Sequence, residues 1–433
     1  MSPCLAERLP NGFTTAIIEM PGRHQVLAAL LVRNGSRFEA PEQSGVSHLL
    51  EHIVFRGCEA YPDARLLNLA FEEAGSIPDA ATGVEATEFS FTAHPERLQQ
   101  GLSTLAEMVR RPTFAQIERE REIVLDEILY DYNGQGELVN LGALSAQLLW
   151  PGQGLGQHVI GTHGSVANLD AAQLRAHHKA HYTPGNLVLG LAGNLDPAQG
   201  FALARACFGD MENGMAQATN NTEPAMITTA PEPSPGPLIK LVPDADNQFH
   251  LQLSFSAAGY NDPDEFALSL LPRILDDGPT SRLQQTLRED LALAYHVGAD
   301  YTAYQDAGQL DIVTTVKAAK LQDMLTALLD CLAKFRDEGP RPEELAGTRR
   351  RHRFDLEFGR DSLEAQIVRH VWPLLYSTPR LVEEELRLLE AVSLEELHGL
   401  ARQVFTASRL HLVLVGPVDA HTERMVSQTV ARF

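Results

Sequence analysis

The sequence is poor in cysteine and in positive charge. Its four cysteines lie far apart in 433 residues and form no Cys-x-x-Cys pair, so neither a disulfide framework nor a thiolate zinc site is expected. Lys and Arg number 35 against 57 Asp and Glu, which gives a formal net charge of −22. Because such a charge opposes binding to phosphate backbones and to anionic lipid, we expect no nucleic-acid partner and no membrane partner.

Long apolar runs are also lacking. No window approaches the roughly 18 consecutive apolar residues of a membrane-spanning helix. Residues 1–8 contain no basic stretch followed by an apolar one, so no secretory signal is predicted and a cytoplasmic location is expected. The apolar content of 44% is nevertheless sufficient for substantial cores. A chain of this length is expected to form two or more domains.

One stretch without apolar periodicity divides the chain. Residues 211–237 are rich in Pro, Asn, Thr and Gly, a composition typical of linkers. We therefore predict a first domain at residues 1–212, a linker at 213–236 and a second domain at 237–433.

The two halves look like weak copies of each other. Near their ends, residues 187–196 parallel residues 410–419, and near their starts a strand pattern at residues 26–32 or 249–255 precedes a helical one. A duplicated domain explains this similarity. The alternating strand patterns and long amphipathic helices predict two homologous α+β halves, each with an antiparallel-rich sheet covered by helices on one face.

A His-x-x-Glu-His motif carries the clearest chemical signal. His48, Glu51 and His52 lie in an apolar helical segment with Ser44 as its predicted N-cap. At about 100° per residue, the three side chains project from one face of the helix. Two imidazoles one turn apart can bind one cation, and a catalytic zinc takes three protein ligands of the imidazole and carboxylate type. The motif therefore requires a third ligand.

An acidic helix, predicted over residues 114–130, can supply this ligand. Glu120 and Glu127 are seven residues apart and so share a helix face. We predict that Glu127 binds the metal and that Glu120 orients a ligating histidine. Glu120 could equally be a solvated member of the charged helix face.

This arrangement, with Glu127 following His48-x-x-Glu51-His52, resembles the pitrilysin/insulinase (inverzincin) metallopeptidases. The resemblance covers nearly the whole chain and implies a short, two-domain protein of the processing-protease type. It implies a Zn²⁺-dependent endopeptidase that hydrolyses peptides or a peptide precursor, with Glu51 as the general base for a zinc-activated water. Manganese or cobalt would also suit these ligands.

The resemblance also implies substrate-binding residues and a partner subunit. Arg288 and Tyr295 are spaced like the pair with which family members hold substrate from the domain facing the zinc, often across a homodimer or a heterodimer with a sister chain. Residues 75–82 resemble a segment beside the family's active site, although Asp79 replaces the usual asparagine. Asp79 and Ala80 are therefore expected to contact an extended peptide or unfolded polypeptide paired with this strand.

Two alternatives remain open at this point. The chain could be the metal-bearing subunit of a two-component processing protease, for example one that trims the ribosomally made precursor of pyrroloquinoline quinone. It could also be a non-catalytic scaffold subunit, which the intact motif disfavours. The second half has Ser269, Pro272 and Arg273 in place of the motif and is predicted to hold no metal.

Another cluster of histidines, at positions 177, 178 and 181, suggests a metal site by composition. Its place at a predicted helix end favours a structural role.

Overall fold

The computed structural model describes residues 4–212, 236–260, 262–376 and 379–433. The predicted linker, 213–236, lies outside the described residues except for Gly236. The chain forms two compact units. The first unit comprises Met1–Ile128, Gln157–Pro224 and Glu357–Arg380, and the second comprises Leu129–Gly156, Ala225–Leu356 and Leu381–Phe433.

The strands are β1 Cys4–Arg8, β2 Thr14–Glu19, β3 Val26–Val32, β4 Asp79–Thr82, β5 Thr87–Ala93, β6 Leu187–Gly193, β7 Leu238–Pro243, β8 Gln248–Ala257, β9 Val297–Ala303, β10 Gly308–Lys317 and β11 Leu410–Gly416. The helices are α1 Val46–Val54, α2 Ala64–Glu72, α3 Leu98–Arg110, α4 Ile117–Leu129, α5 Leu141–Leu149, α6 His163–Ala167, α7 Ala171–His181, α8 Pro197–Phe208, α9 Glu265–Leu275, α10 Leu321–Glu338, α11 Pro342–Phe358, α12 Leu363–His370, α13 Val382–Ala391, α14 Leu394–Val404 and α15 Ala420–Val430.

Each unit contains one mixed sheet. The first has the order β1-β2-β6-β3-β5-β4, in which only β2 and β6 run parallel. The second has the order β7-β11-β8-β10-β9, in which only β7 and β11 run parallel. Strands β2 to β6 occupy the same relative positions as strands β7 to β11. The predicted α+β fold with antiparallel-rich sheets is thus confirmed.

Helices cover both faces of the first sheet, so the expectation of one covered face is wrong here. On one face, α3 and α8 approach closely enough that a Cβ at Gly101 would meet Phe91 and one at Gly200 would meet Ile17. On the other, Leu363 and Ile367 of α12 belong to an apolar cluster with residues of β2, β3 and β6. All seven residues of β3 are buried for this reason.

Two stretches lie in the unit opposite to the one that the sequence division suggests. The segment Glu357–Arg380, which contains α12, follows the predicted linker but belongs to the first unit. In this segment the indole Nε1 of Trp372 donates a hydrogen bond of 3.0 Å to Glu88 of β5. Helix α5 precedes the linker but belongs to the second unit, where Leu144 packs in a cluster with Val242 and Val413. The roles assigned to the two predicted domains remain predictions.

None of the helices in the described ranges combines the length and the apolar character needed to cross a bilayer.

Candidate metal centre

Helix α1 presents the His-x-x-Glu-His motif on its less buried side. Leu49, Leu50 and Ile53 are fully buried, whereas His48 and His52 keep side-chain exposed fractions of 13% and 17%. The helical periodicity read from the sequence is therefore confirmed. Because its apolar face is fixed in the core, α1 holds both imidazoles in defined directions.

The start of α1 differs from the prediction. Its N-cap is Gly45, which has a φ of +89°, and not Ser44. A Cβ at position 45 would lie 2.7 Å from the carbonyl oxygen of Ile160, so glycine is required there for space as well as for conformation. The carboxylate of Glu39 takes the capping role, since it accepts hydrogen bonds from the backbone N–H groups of Gly45 at 2.7 Å and Ser47 at 2.8 Å.

Helix α4 brings a carboxylate to the two imidazoles. Glu127 Oε2 lies 3.8 Å from His48 Nε2 and 3.6 Å from His52 Nε2. One potential ligand atom from each of these residues lies within 4.8 Å of the others, and the described residues contain no second group of this kind. The structure thus unites the three residues that the sequence predicted as ligands.

This donor set fits a zinc ion. Two imidazole nitrogens and one carboxylate oxygen match the ligand types of catalytic zinc sites. Burial, reinforced by the neighbouring His52 and His158, lowers the pKa of His48 to about 4. His48 is therefore neutral near pH 7, which is the protonation state that a metal ligand needs.

Glu51 is held by a strand of the first sheet. The hydroxyl of Thr82 in β4 donates a hydrogen bond to Glu51 Oε2. Burial raises the pKa of Glu51, although the Thr82 hydrogen bond opposes this rise. A carboxylate with a raised pKa is suited to accept and hold a proton.

Glu120 faces the other ring nitrogen of His52. The Glu120 side chain is fully buried, and its Oε2 lies 3.5 Å from His52 Nδ1. Its Oε1 lies 3.2 Å from Nε of Arg56, which follows α1. The solvated alternative for Glu120 is therefore wrong, whereas the neighbouring Glu118 and Glu122 are exposed.

The predicted substrate-binding residues fall into two groups. Asp79 and Ala80 lie in β4, the terminal strand of the first sheet, where Asp79 is exposed and accepts a hydrogen bond from the N–H of Ala80 at 3.0 Å. Arg288 and Tyr295 lie in the second unit, with the guanidinium carbon of Arg288 5.9 Å from the Tyr295 ring centroid. Arg288 belongs to a π-helical segment, Gln284–Asp290, and Tyr295 is 90% exposed.

The histidines of α7 pack against neighbouring residues and stand outside the metal group. His177 is buried with its Nε2 3.2 Å from the Ser47 hydroxyl. The ring of His178 stacks on Tyr182, and its Nε2 contacts the carbonyl oxygen of Val109 at 2.8 Å. These contacts agree with a structural role.

Sequence reasoning missed three residues that support the site: Glu39 at the start of α1, Arg56 beside Glu120, and Thr82 beside Glu51. Thr82 ends the 75–82 segment, in which only Asp79 and Ala80 are assigned roles from the sequence. Arg56 lies one turn beyond His52 on the same helical face. Glu39 lies six residues before the N-cap Gly45, outside any helical or strand periodicity that could have indicated its role. Its capping role became visible only in the folded chain.

Profiles of one family match both halves of the chain. The profile described as insulinase, peptidase family M16, matches residues 14–163, and that of the peptidase M16 inactive domain matches residues 168–351. The chain belongs to peptidase family M16. The second match agrees with Ser269, Pro272 and Arg273 in α9, which leave the second half of this M16 protein without the motif.

Similar proteins and solved structures align with nearly the whole of this M16 protein. A Bacillus subtilis protein named as an uncharacterized zinc protease, YmxG, is 28% identical over 411 residues, which are 94% of this chain and 97% of the relative. A Pseudomonas fluorescens structure of a peptidase M16 inactive domain has a TM-score of 0.86 at 21% identity, covering 96% of this chain and 98% of that one. A Helicobacter pylori protease structure has a TM-score of 0.86 at 18% identity, with coverages of 96% and 100%.

Proposed function

We propose that this M16 protein is a zinc metalloendopeptidase that hydrolyses peptides or unfolded polypeptide segments. One observation carries the proposal: nitrogens of His48 and His52 and an oxygen of Glu127 come within 4.8 Å of one another. The naming of near-full-length relatives as zinc proteases supports it. In this proposal His48, His52 and Glu127 hold the ion.

The chemistry divides between the ion and Glu51. A bound zinc would supply Lewis acidity toward a water molecule and toward a peptide carbonyl. Glu51 takes the proton from the attacking water and returns it to the leaving amine. The Thr82 hydroxyl fixes one oxygen of Glu51, and Glu120 orients His52 from the far side of its ring.

Substrate would be held through its backbone at β4. As the terminal strand of its sheet, β4 offers backbone groups to an extended peptide. The exposed carboxylate of Asp79 would lie beside such a peptide. Arg288 and Tyr295 are proposed to hold substrate in a homodimer or in a heterodimer with a sister chain, and their mutual contact supports a shared role. A cytoplasmic location remains part of the proposal.

Cleavage of internally quenched fluorescent peptides by the purified chain tests this function. The chain should be active as purified and inactive after a chelator removes the metal. Activity should return when zinc is added back. Glu127→Gln should lose both zinc and activity, whereas Glu122→Gln, an exposed glutamate on the same helix, should keep both. A wild-type chain that binds no zinc would refute the proposal. A zinc-loaded but inert chain would instead favour a two-component protease with a missing sister subunit, or a scaffold.

A further inference from the structure

Glu120 presents an electrostatic problem within the site. Its side chain is fully buried, and neither of its oxygens accepts a well-directed hydrogen bond from the described residues. A buried carboxylate without a compensating partner is strongly destabilising. Some neighbouring group must offset this charge and hold the carboxylate in place.

His52 cannot do so while it serves as a ligand. It directs Nε2 toward Glu127 at 3.6 Å and Nδ1 toward Glu120 at 3.5 Å. A ligating imidazole must leave the nitrogen that faces the metal free of a proton, so the ring is neutral and offers Glu120 only the Nδ1–H dipole.

Arg56 has the charge that His52 lacks. Its Nε lies 3.2 Å from Glu120 Oε1, and within the described ranges Arg56 and His52 are the basic residues at ion-pair distance from Glu120. A guanidinium stays charged at any ordinary pH. Since Arg56 follows His52 by four residues, α1 and the turn after it present ligand and counter-charge to the same carboxylate.

We propose that Arg56 is a positioning residue for the metal site. It holds Glu120 against His52 and thereby strengthens the binding of zinc without touching the ion. The inference rests on the proposed zinc site and adds to it a residue that the ligand motif does not contain. Arg56 is partly exposed, at 28% of its side chain, so its charge remains hydrated on one side while it pairs with a fully buried acid.

Zinc affinity, measured by competition with a chelator of known affinity, tests this role independently of catalysis. Arg56→Met should weaken zinc binding by about tenfold or more, the size expected for partners that orient ligands. Arg56→Lys, which keeps a cation of similar reach, should recover part of the loss. Arg119→Met removes the same charge from an exposed position on α4 and should bind zinc like the wild type.

A double-mutant cycle tests whether Arg56 affects zinc binding through Glu120. If Arg56 acts through Glu120, Arg56→Met should have little further effect on zinc affinity in a Glu120→Gln background. The double variant also lacks the buried charge, so it should fold even if Arg56→Met alone does not, and that pattern would likewise support the role.

The inference is overturned if Arg56→Met binds zinc as tightly as Arg119→Met, or if it causes the same loss with and without Glu120. These outcomes require a wild-type chain that binds zinc and therefore leave the proposed function standing. A wild-type chain without zinc affinity would overturn both.

Discussion

The backbone N–H of Ser47 donates a hydrogen bond to the buried carboxylate of Glu39 at 2.8 Å. Ser47 directly precedes His48, so this contact fixes the first turn of the helix that carries the metal motif. The second oxygen of Glu39 accepts from Gly45 at 2.7 Å. Both carboxylate oxygens are thus used by N–H groups that an α-helix leaves without partners at its start.

Replacing Glu39 by Gln should therefore destabilise the protein. One of the two acceptors becomes an NH₂ group that faces a backbone N–H, and a buried donor left without a partner costs about 1–3 kcal/mol. The denaturation midpoint of the metal-free variant should fall below that of the wild type. Glu42→Gln, at an exposed position in the same loop, is the control. Equal midpoints for all three proteins would show that Glu39 does not support the helix.

Removal of the Thr82 hydroxyl should slow catalysis without removing the metal. Thr82→Val keeps the shape of the side chain but loses the donor to Glu51. Since hydrogen bonds to charged groups contribute about 1.5–3 kcal/mol, kcat should fall roughly tenfold to a hundredfold, with little change in KM. Zinc content and peptide turnover should be measured together. Thr92→Val, in β5 of the same sheet, should retain full turnover. A loss of zinc in Thr82→Val would assign this hydroxyl a different role.

Local geometry was sufficient to place the two histidine ligands on one helix face and Glu127 on one face of α4, and the family resemblance supplied the pairing of the two helices. His48 and His52 share a face in any α-helix, and the seven-residue spacing of Glu120 and Glu127 places both on one side of α4. Glu39 and Thr82 could not be found in this way. Each contacts α1 from a neighbouring loop or strand, and only tertiary packing decides those contacts.

The sequence also contains no local indication that residues 357–380 join the first unit and residues 129–156 join the second. The apolar positions of α12, including Leu363 and Ile367, predict a helix with one buried face. They do not indicate which sheet will bury that face. Similarly, the prediction of Ser44 as N-cap followed residue preference, whereas the close approach of the Ile160 carbonyl to position 45 selects glycine.

Lowering the pH should reduce the stability of the second unit by protonating Glu344. Burial raises the pKa of this carboxyl, but hydrogen bonds from Arg282 and Arg341 outweigh burial and lower it to about 2. A lowered folded-state pKa contributes stability that is complete above the unfolded value of 4.5 and is lost as the pH falls toward 2. Glu344→Gln should therefore lower stability by roughly 3 kcal/mol at pH 6 and by much less near pH 2.

Unfolding of the metal-free protein across this pH range measures the effect. Glu343→Gln, a more exposed neighbour with a side-chain exposed fraction of 69%, should show no such pH-dependent difference. A deficit in Glu344→Gln that stays constant from pH 6 to pH 2 would contradict the ion-pair explanation.

Cleavage of the chain between its two sequence halves should leave the two fragments associated. Residues 357–380 supply four buried side chains, Leu363, Ile367, Val371 and Leu375, to the core of the first unit. Burying such side chains contributes about 1.5–3 kcal/mol each. A protease site inserted within residues 213–235 should give two fragments that co-elute in gel filtration and separate in denaturant. Fragments that elute separately under native conditions would show that the exchanged segment does not hold them together.

The central claim is that Glu51 performs chemistry at a zinc ion which it does not itself bind. The most direct test is the zinc content of Glu51→Gln, measured together with its turnover of a quenched fluorescent peptide. We predict one zinc per chain, as in the wild type, with turnover reduced at least 10²-fold, in line with the loss of a general base. A variant that retains both zinc and wild-type turnover would contradict the assignment of Glu51 as the base.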